Sequence, residues 1–531
     1  MQLLQSQVVS PEPAAPACMP IATTAPSSIS HRALALLAGL YVLAWSLLPP
    51  LLSHSLPLDV VESLSWGREW EWGYYKHPPL APWLLELSYR ALGRVGPFLL
   101  SQLFIAATLW LVWITGCRLV SRERALLGTL LTMGVAYYTR PALEFNHNIA
   151  QMPLWAATGY CLLAALQEGR LRHWLVLGIV AGLGLLTKYS VGLLLAAVAL
   201  YLLLAPARRV LASPGPWLAL AAMLLVFAPH LQWLRESGWL PMAYVKGRAA
   251  VEGAGPIAAR LDALSFLATQ LLNHLPLALI VLAALWNTRG QRAADAPPGA
   301  WRLQARMPGY LLVLALGPCL LACALGIVLG LRLRDMWGVP MWVYSGLLVA
   351  AWLPEAWLPA LRPRLLRGLA VWLVLVSVLT GLFLAYGAQW RKRPARTDWP
   401  QTAVAQQAQA LWEAHSRCPL DSVSGDYWAT GLVAAQLPDR PSVFITGDDR
   451  FSPWITLERL QSNGTLWIGL GDQPPVPALL GELDTVPGMR VQQGQVEVRW
   501  PYRGAEAPLT MHWRAYVPEA CAKPPDPGTP Q

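Results

Sequence analysis

Long apolar runs separated by short polar segments dominate the first 390 residues of the chain. Eleven of these runs approach the length of about 20 residues that an α-helix needs to cross a hydrocarbon core of about 30 Å. They cover 33–52, 97–117, 125–139, 148–166, 172–187, 189–206, 216–234, 264–286, 308–331, 337–354 and 368–390. The pattern predicts a polytopic α-helical membrane protein with about 11 transmembrane helices, within a range of 11 to 13.

Both ends of the chain differ from this pattern. Residues 1–30 are rich in Pro, Ala and Ser and contain no Lys or Arg, which predicts a disordered tail rather than a signal peptide. After residue 390 no apolar run reaches membrane length. Short β-prone runs at 442–446, 465–470 and 491–500 follow a helical stretch at 400–416. We therefore expect a membrane domain over 31–390 and a small soluble α/β domain over 391–531.

The composition agrees with a chain that is dissolved largely in lipid. Hydrophobic residues make up 55% of it and charged residues 13%, with a mean hydropathy of +0.40. A soluble domain carries about 25% charged residues, so roughly half of the usual charge is missing. This excludes a cytosolic enzyme, a small disulfide-stapled module and a disordered chain.

The net charge of +10 raises the question of nucleic-acid binding. The arginines instead cluster in short gaps between apolar runs, as the positive-inside rule describes for cytoplasmic loops. These inner gaps contain Arg118, Arg122, Arg124, Arg170, Arg172, Arg208, Arg209, Arg289, Arg292, Arg302, Arg306, Arg362, Arg364 and Arg367. We expect membrane lipids and no nucleic acid as partners. An odd number of spans then places 391–531 outside, where Cys418 and Cys521 are candidates for a disulfide.

The first outer loop, 53–96, is dense in ionisable and aromatic residues. On a helix Asp59, Glu62 and Trp66 share one face, which predicts an amphipathic helix at the membrane surface, and a second such helix is expected over 83–92. A partly desolvated carboxylate can accept a proton, and a lysine such as Lys76 is a counter-charge for a phosphate. The alternative is an ordinary wet loop that its aromatic residues anchor in the headgroups.

Other outer segments repeat this chemistry. Glu144, Asn146 and His147 have the hydrogen-bonding groups of a sugar site, and they could also ligate a divalent ion, although no zinc-type spacing is present. Lys188 lies between two apolar runs, where it is either functional or a snorkelling side chain. Arg332 and Arg334 lie in a later outer loop. Together these residues predict an outward-facing cavity.

The motifs of the first loop resemble a known family. Asp59-x-x-Glu62, Trp66-Gly67 and the run GYYKHPPL at 73–80 are similar to the first loop of GT-C membrane glycosyltransferases of family 39. This family includes protein O-mannosyltransferases, the lipid A aminoarabinose transferase and lipopolysaccharide-core galacturonosyltransferases. The runs EFNHN at 144–148 and GLLTKY at 184–189 resemble later segments of bacterial members.

The resemblance implies a glycosyltransferase of EC class 2.4, in the bacterial inner membrane, with its site and C-terminal domain facing the periplasm. It would move a hexose- or pentose-type sugar from a polyprenyl phosphate to a hydroxyl of a lipid, glycan or protein. Relatives use a first-loop acid as the base, which maps onto Asp59. Many have adjacent Asp-Glu, whereas here Val60 follows Asp59 and the second acid is Glu62, so both stay candidates.

The family also implies roles for the remaining candidates. Basic residues near the membrane would hold the donor phosphate, and the candidates are Lys76, Lys188, Arg332 and Arg334. The candidates for contact with the sugar or acceptor are Tyr74, His77, Glu144, Asn146 and His147. No cofactor is implied with certainty, and a divalent metal ion stays open.

A transporter or flippase of lipid-linked saccharides is the alternative from another class. It would share the many spans and the buried charges, but it is expected to show an inverted or tandem repeat. The hydropathy pattern shows none. A membrane scaffold without catalysis is a third interpretation, and it would tolerate the loss of Asp59 and Lys188.

Overall fold

The computed structural model describes residues 31–204, 206–249, 256–286, 309–391, 393–471, 476–502 and 508–524. The predicted tail over 1–30 lies outside these residues, as do the inner-loop arginines Arg289, Arg292, Arg302 and Arg306. Residues from Leu43 onward form one compact unit.

Apolar helices make up most of the chain before residue 391. In chain order they are α1 (His31–Leu52), α2 (Leu58–Gly67), α3 (Leu80–Leu92), α4 (Gly96–Cys117), α5 (Arg122–Thr132), α6 (His147–Glu168), α7 (Leu171–Thr187), α8 (Val191–Leu204), α9 (Pro214–Glu236), α10 (Leu240–Ala249), α11 (Pro256–Asn273), α12 (Leu275–Trp286), α13 (Gly309–Leu329), α14 (Ser345–Trp352) and α15 (Leu358–Trp390). The predicted polytopic helical fold is confirmed.

Among the described residues, six helical segments are long and apolar enough to cross a membrane. Helices α11 and α12 meet at a bend of 48° and add a seventh span if they are counted as one. Helices α7 and α8 are apolar but shorter. The six segments are 35–52, 80–117, 147–168, 214–236, 309–329 and 358–390.

Two predicted spans are too short to cross the membrane as helices. The runs at 125–139 and 337–354 contain α5, with 11 residues, and α14, with 8. At 1.5 Å per residue these helices rise about 16 and 12 Å, well under 30 Å. They pack against each other so closely that a Cβ on Gly346 would lie 2.2 Å from the Thr132 backbone nitrogen. These runs are apolar because they lie inside the protein.

The first outer loop contains two helices in contact. Helix α2 places Asp59 and Trp66 on one element, as the spacing predicts. It approaches α3 at Gly67, where an added Cβ would lie 2.3 Å from the carbonyl oxygen of Pro82. The second expected surface helix is α3, and it continues through a short 3-10 turn into α4.

The C-terminal part is a small α/β domain, as predicted. Its helices are α16 (Gln401–His415), α17 (Tyr427–Gln436), α18 (Leu457–Asn463) and α19 (Ala478–Glu482), and its strands are β1 (Ser422–Gly425), β2 (Ser442–Ile445), β3 (Thr465–Leu470), β4 (Met489–Val498) and β5 (Leu509–Pro518). The sheet order is β2-β1-β3-β5-β4. Strand β1 is parallel to β2 and β3, whereas β5 is antiparallel to β3 and β4.

A disulfide fixes the ends of this domain. Cys418 and Cys521 are bonded, with their Cα atoms 5.3 Å apart. The bond lies beside a core that α16, α17 and the sheet share, in which Trp412 and Ile468 are fully buried. The loop between α16 and β1 is thereby joined to the segment that follows β5.

The C-terminal domain packs directly on the first outer loop. Helix α17 meets α2 at Gly431, where an added Cβ would lie 2.4 Å from Val61. Arg440 forms an ion pair of 2.8 Å with Glu86 of α3, whose side chain is fully buried. Asp59 and Glu62, the two candidate acids of the first loop, therefore lie on a helix held between α3 and the C-terminal domain.

Candidate active site

A cavity of about 570 Å³ opens beside Asp59. Asp59 lies in the first turn of α2 and is half-buried. The second outer loop contributes Glu144 and Arg140 to the same cavity, and the segment after α15 contributes Arg396. Two carboxylates and two arginines from three separate parts of the chain thus line one space.

Buried hydrogen bonds hold the second outer loop in place. Ser101 and Gln102 of α4 both donate to the carbonyl oxygen of Ala142, each at 2.8 Å. The Asn146 side chain accepts from the backbone nitrogens of Asn148 and Ile149 at 2.9 and 3.2 Å. Asn146 is therefore the N-cap of α6, a structural role that also fixes Glu144, two residues before it.

The surroundings of Glu144 favour its neutral form. Burial among protein atoms raises the pKa of this carboxyl to about 8, and the negative charge of Asp59 raises it further than the charge of Arg140 lowers it. At neutral pH the protonated form of Glu144 predominates. The cavity thus contains two acids of unequal character, with Glu144 able to donate a hydrogen bond.

Glu62 is engaged elsewhere. Its Oε1 is ion-paired with Lys76 and accepts a hydrogen bond of 3.3 Å from the Tyr75 hydroxyl. Burial raises the pKa of Glu62, while the charge of Lys76 and its hydrogen bond lower it. The pair satisfies both groups inside the protein.

Aromatic rings surround the ammonium group of Lys76. Its Nζ lies 4.9 Å from the ring centre of Tyr427, 5.1 Å from that of Tyr75 and 5.4 Å from that of Tyr244. Cation–π contacts of this length stabilise a lysine charge that has lost part of its water. Lys76 therefore joins the first loop to α10 and to α17 of the C-terminal domain.

The two histidines of the site contact each other. The rings of His77 and His147 are 4.1 Å apart, and Trp66 lies about 6 Å from both. Tyr74 stacks on Trp66 at 5.5 Å. Burial lowers the pKa of His77 well below its ordinary value, and the charges of Lys188 and Lys76 lower it further. His77 is therefore neutral at physiological pH.

Lys188 occupies the break between α7 and α8. The side chain is 9% exposed, and its Nζ donates a hydrogen bond of 2.6 Å to Oδ1 of Asn148. Asp59 is the acid with which its charge interacts. The break in the helices thus brings a lysine from the membrane domain to the same end of the bundle as the first loop.

Arg332 and Arg334 are not joined to this group. Arg332 forms an ion pair of 3.1 Å with Asp262 of α11, and Arg334 precedes the 3-10 helix Asp335–Trp342. Within the described ranges, neither arginine has a hydrogen bond or ion pair to Asp59 or Glu144. The other predicted residues lie around α2 and the N-terminus of α6.

Two arginines of the cavity were missed by sequence reasoning. They are Arg140 and Arg396. The guanidinium carbon of Arg140 lies 3.9 Å from the ring centre of Phe383, a residue of the cavity wall, and that of Arg391 lies 4.2 Å from the same centre. Arg396 follows shortly after α15. The sequence feature that could have identified them is the presence of arginines near acids in predicted outer segments. The positive-inside rule predicts few arginines on that side of the membrane.

The described residues offer few side chains that could ligate a metal ion together. In the part of the chain that the structure describes, no group of three or more His, Cys, Asp or Glu side chains is arranged to hold a metal ion.

The sequence resembles one protein family and two named glycosyltransferases. Residues 76–233 match the family described as dolichyl-phosphate-mannose-protein mannosyltransferase. The lipopolysaccharide core galacturonosyltransferase RgtB of Rhizobium johnstonii is 29% identical over 54% of this chain and 58% of its own length. RgtA of the same organism is 26% identical over 77% of this chain and 81% of its own. The chain thus spans somewhat more than half of RgtB.

Solved structures share the fold. Crystal structures of ArnT from Cupriavidus metallidurans, bound to undecaprenyl phosphate and without it, match with TM-scores of 0.60 and 0.57. The identities are 13% and 14%, and the matches cover 91% and 92% of this chain and 98% of each ArnT chain. The fold is that of the GT-C membrane glycosyltransferases. The matched region 76–233 and the two Rgt relatives are similarities to the family that the first-loop motifs resemble.

Proposed function

We propose that the chain is a glycosyltransferase that moves a sugar from a polyprenyl phosphate to an acceptor hydroxyl, with Asp59 as the general base. The observation that carries this proposal is the contrast between the two first-loop acids. Asp59 lines an open cavity of about 570 Å³, whereas Glu62 is buried and paired with Lys76. The names of the sequence relatives and the lipid bound to ArnT support the donor class.

Asp59 fits the base because it is reachable and unpaired with Lys76. A general base must come within hydrogen-bond reach of the proton that it abstracts. An acceptor hydroxyl in the cavity can approach Asp59, whereas Glu62 is not among the residues that line the cavity and is ion-paired with Lys76. Glu62 is then a positioning residue, which holds Lys76 and through it the first loop.

Glu144 takes a complementary role as a neutral acid. Its raised pKa keeps Glu144 protonated at neutral pH, in the same cavity as Asp59. A protonated carboxyl in this position donates a hydrogen bond to a sugar or acceptor oxygen. Environments that push the pKa values of two acids apart commonly separate their roles in this way.

The basic residues around the cavity supply the counter-charge for the donor. Arg140 and Arg396 line the cavity, and Lys188 interacts electrostatically with Asp59. Positive groups fixed near a leaving phosphate stabilise the charge that develops on it. We assign the donor phosphate to these three residues. Lys76 neutralises Glu62, and Arg332 and Arg334 are not part of this assignment.

The reaction is a single displacement at the anomeric carbon. The acceptor oxygen forms a bond to this carbon while the bond from the carbon to the phosphate oxygen breaks. The acceptor proton moves to Asp59, and the electron pair of the broken bond leaves with the polyprenyl phosphate. Because a phosphate is a good leaving group at neutral pH, no second acid is required to protonate it.

The site faces the periplasm in this proposal, and the C-terminal domain lies on the same side. Helix α6 begins at His147 beside the site and ends at Glu168, which pairs with Arg118. The predicted cytoplasmic arginines and the site residues thus lie at opposite ends of one spanning helix. This separation supports an outward-facing site in the bacterial inner membrane.

Purified protein in lipid vesicles tests the proposal. The vesicles receive a labelled sugar on polyprenyl phosphate, with lipopolysaccharide core as the acceptor probe, and the release of polyprenyl phosphate and the labelled acceptor are both measured. We expect release and transfer with the lipid-linked donor and none with the same sugar on a nucleotide. Transfer from the nucleotide sugar alone, or passage of the intact donor across the vesicle membrane without release, would contradict the proposal.

A further inference from the structure

The C-terminal domain contains a second cavity, of about 440 Å³. It lies at the carboxyl ends of the three parallel strands, where Asp426 follows β1, Thr446 follows β2, and Gly469 is near the end of β3. The chain leaves β1 for β2 on one side and returns to β3 on the other, so β1 is the point where the strand order reverses. Open α/β sheets bind ligands in the crevice at such a point.

Three tryptophans line this cavity. Trp399 precedes α16, Trp428 lies in the first turn of α17, and Trp467 lies in β3. The rings of Trp399 and Trp428 meet edge to face at 5.8 Å. The exposed polar groups Asp426 and Thr446 stand beside them. Aromatic walls with a few polar groups suit a sugar, whose ring has an apolar face and a rim of hydroxyls.

The start of α17 disfavours an anionic ligand. A free helix N-terminus attracts phosphate through its unpaired backbone N–H groups. Here the Asp426 carboxylate already accepts from the backbone nitrogens of Trp428 and Ala429, at 3.0 and 3.4 Å. A phosphate would meet this negative charge, whereas the hydroxyls of a neutral sugar can donate to it. The cavity therefore fits a polyhydroxyl ligand better than a nucleotide.

One short segment separates this cavity from the one beside Asp59. Ala395, Arg396 and Thr397 line the Asp59 cavity, and Trp399 lines the tryptophan cavity. The 3-10 turn Arg396–Asp398 between them is one turn long, which corresponds to a rise of about 6 Å. The guanidinium carbon of Arg396 lies 5.7 Å from the Trp428 ring. An oligosaccharide of a few units can therefore reach from one cavity to the other.

We propose that the tryptophan cavity is a binding subsite for the acceptor and that the acceptor is an oligosaccharide. Its end would present a hydroxyl to Asp59, while a sugar further along the chain would pack on Trp399 beside Asp426. This proposal rests on the proposed function, since it names the acceptor class for that reaction. It assigns acceptor recognition to the C-terminal domain.

Transfer kinetics with long and short acceptors test the subsite. The full-length protein in vesicles is given lipopolysaccharide core oligosaccharide or a single hexose, with the same lipid-linked donor. For Trp399→Ala we expect the ratio of kcat/KM between the long and short acceptors to fall about tenfold, because the stacking contact is lost. Asp426→Asn keeps an N-cap and should lower the same ratio about threefold. Trp513→Ala, in β5 outside this cavity, is the matched control and should leave the ratio unchanged.

Direct binding separates failure of the subsite from failure of the proposed function. Saturation-transfer NMR with the free core oligosaccharide requires no donor and no turnover. Contact with the wild type that weakens in Trp399→Ala supports the subsite even if no transfer occurs. An unchanged acceptor ratio in folded Trp399→Ala and Asp426→Asn overturns it, as does competition for the cavity by a nucleotide but not by the oligosaccharide.

Discussion

Charged side chains at one end of the helix bundle are paired within the protein, whereas acids at the other end line a cavity. At one end Arg118 pairs with Glu168 at 2.9 Å, and Arg124 is 2% exposed and donates to the carbonyl oxygens of Ala350, Ala351 and Leu353. At the other end Asp59 and Glu144, which have the same sign when ionised, share one cavity. Charges with partners stabilise a fold, whereas an acid whose pKa is raised by burial and by a second acid in a cleft marks a candidate functional site.

The same contrast separates the two acids of α2. Glu62 resembles the paired charges at the Arg118 end of the bundle, because it forms an ion pair with Lys76 and accepts a hydrogen bond from Tyr75. Asp59, one helical turn earlier, faces the cavity. The two carboxylates thus differ in their partners and in their access to the cavity, and this difference is the basis for proposing Asp59 and not Glu62 as the base.

The largest expected effect is on catalysis at Asp59. Asp59→Asn keeps the size of the side chain and removes the base, so we expect the rate of transfer to fall about 10³-fold. Arg118→Met, at the opposite end, breaks a partly exposed ion pair and should change the rate by less than about twofold. Both are measured as transfer per folded molecule in vesicles. Equal losses in the two variants would remove the distinction between the two ends.

The next effect is on stability at Arg124. Arg124→Met leaves the carbonyl oxygens at the end of α14 without their donor, which should lower the free energy of unfolding by about 2–4 kcal/mol. The measurement is denaturant-induced unfolding in detergent. Arg122→Met, two residues earlier and exposed, is the control, with an expected change within about 0.5 kcal/mol. A loss of activity in folded Arg124→Met that exceeds the loss of stability would assign this end a role in the reaction.

The smallest effect is on the pH dependence of transfer. Because the pKa of Glu144 is raised to about 8, the residue is protonated below that pH and ionises above it. Ionisation removes the hydrogen-bond donor of Glu144 and places a negative charge on it beside Asp59, so the rate should fall severalfold as the pH rises through 8. Glu144→Gln keeps a donor at every pH and should abolish this alkaline fall while retaining activity at pH 7. A wild-type rate that is flat from pH 7 to 9 would argue against a neutral Glu144.

Elements with a strong local pattern were predictable from the sequence. The helix from Leu58 follows from the spacing of Asp59, Glu62 and Trp66, and β3 matches the predicted run 465–470. The apolar runs predicted a membrane protein, but not which runs cross the membrane. Burial inside the protein and burial in lipid select the same residues, so α5 and α14 resemble short spans.

The sequence predicted many of the residues of the candidate site, but it did not predict which of them contact each other. Sequence spacing placed Glu62 and Lys76 among the candidates, but only the fold shows that they pair with each other. Arg396 is about 340 positions from Asp59 in sequence and lines the same cavity. Such a contact depends on how α15 and the C-terminal domain pack on the first loop, which no local pattern encodes.

Single-turnover transfer by Asp59→Asn, with the donor prebound at saturation, separates the role of Asp59 as the proposed base from any role in donor binding. Donor affinity and the rate of sugar transfer are measured on the same sample, beside wild type and Glu62→Gln. We expect Asp59→Asn to bind the lipid-linked donor with wild-type affinity and to transfer its sugar about 10³-fold more slowly, and we expect Glu62→Gln to retain more activity than Asp59→Asn. Wild-type transfer by Asp59→Asn, together with loss of transfer in folded Glu62→Gln, would contradict the assignment of Asp59 as the base.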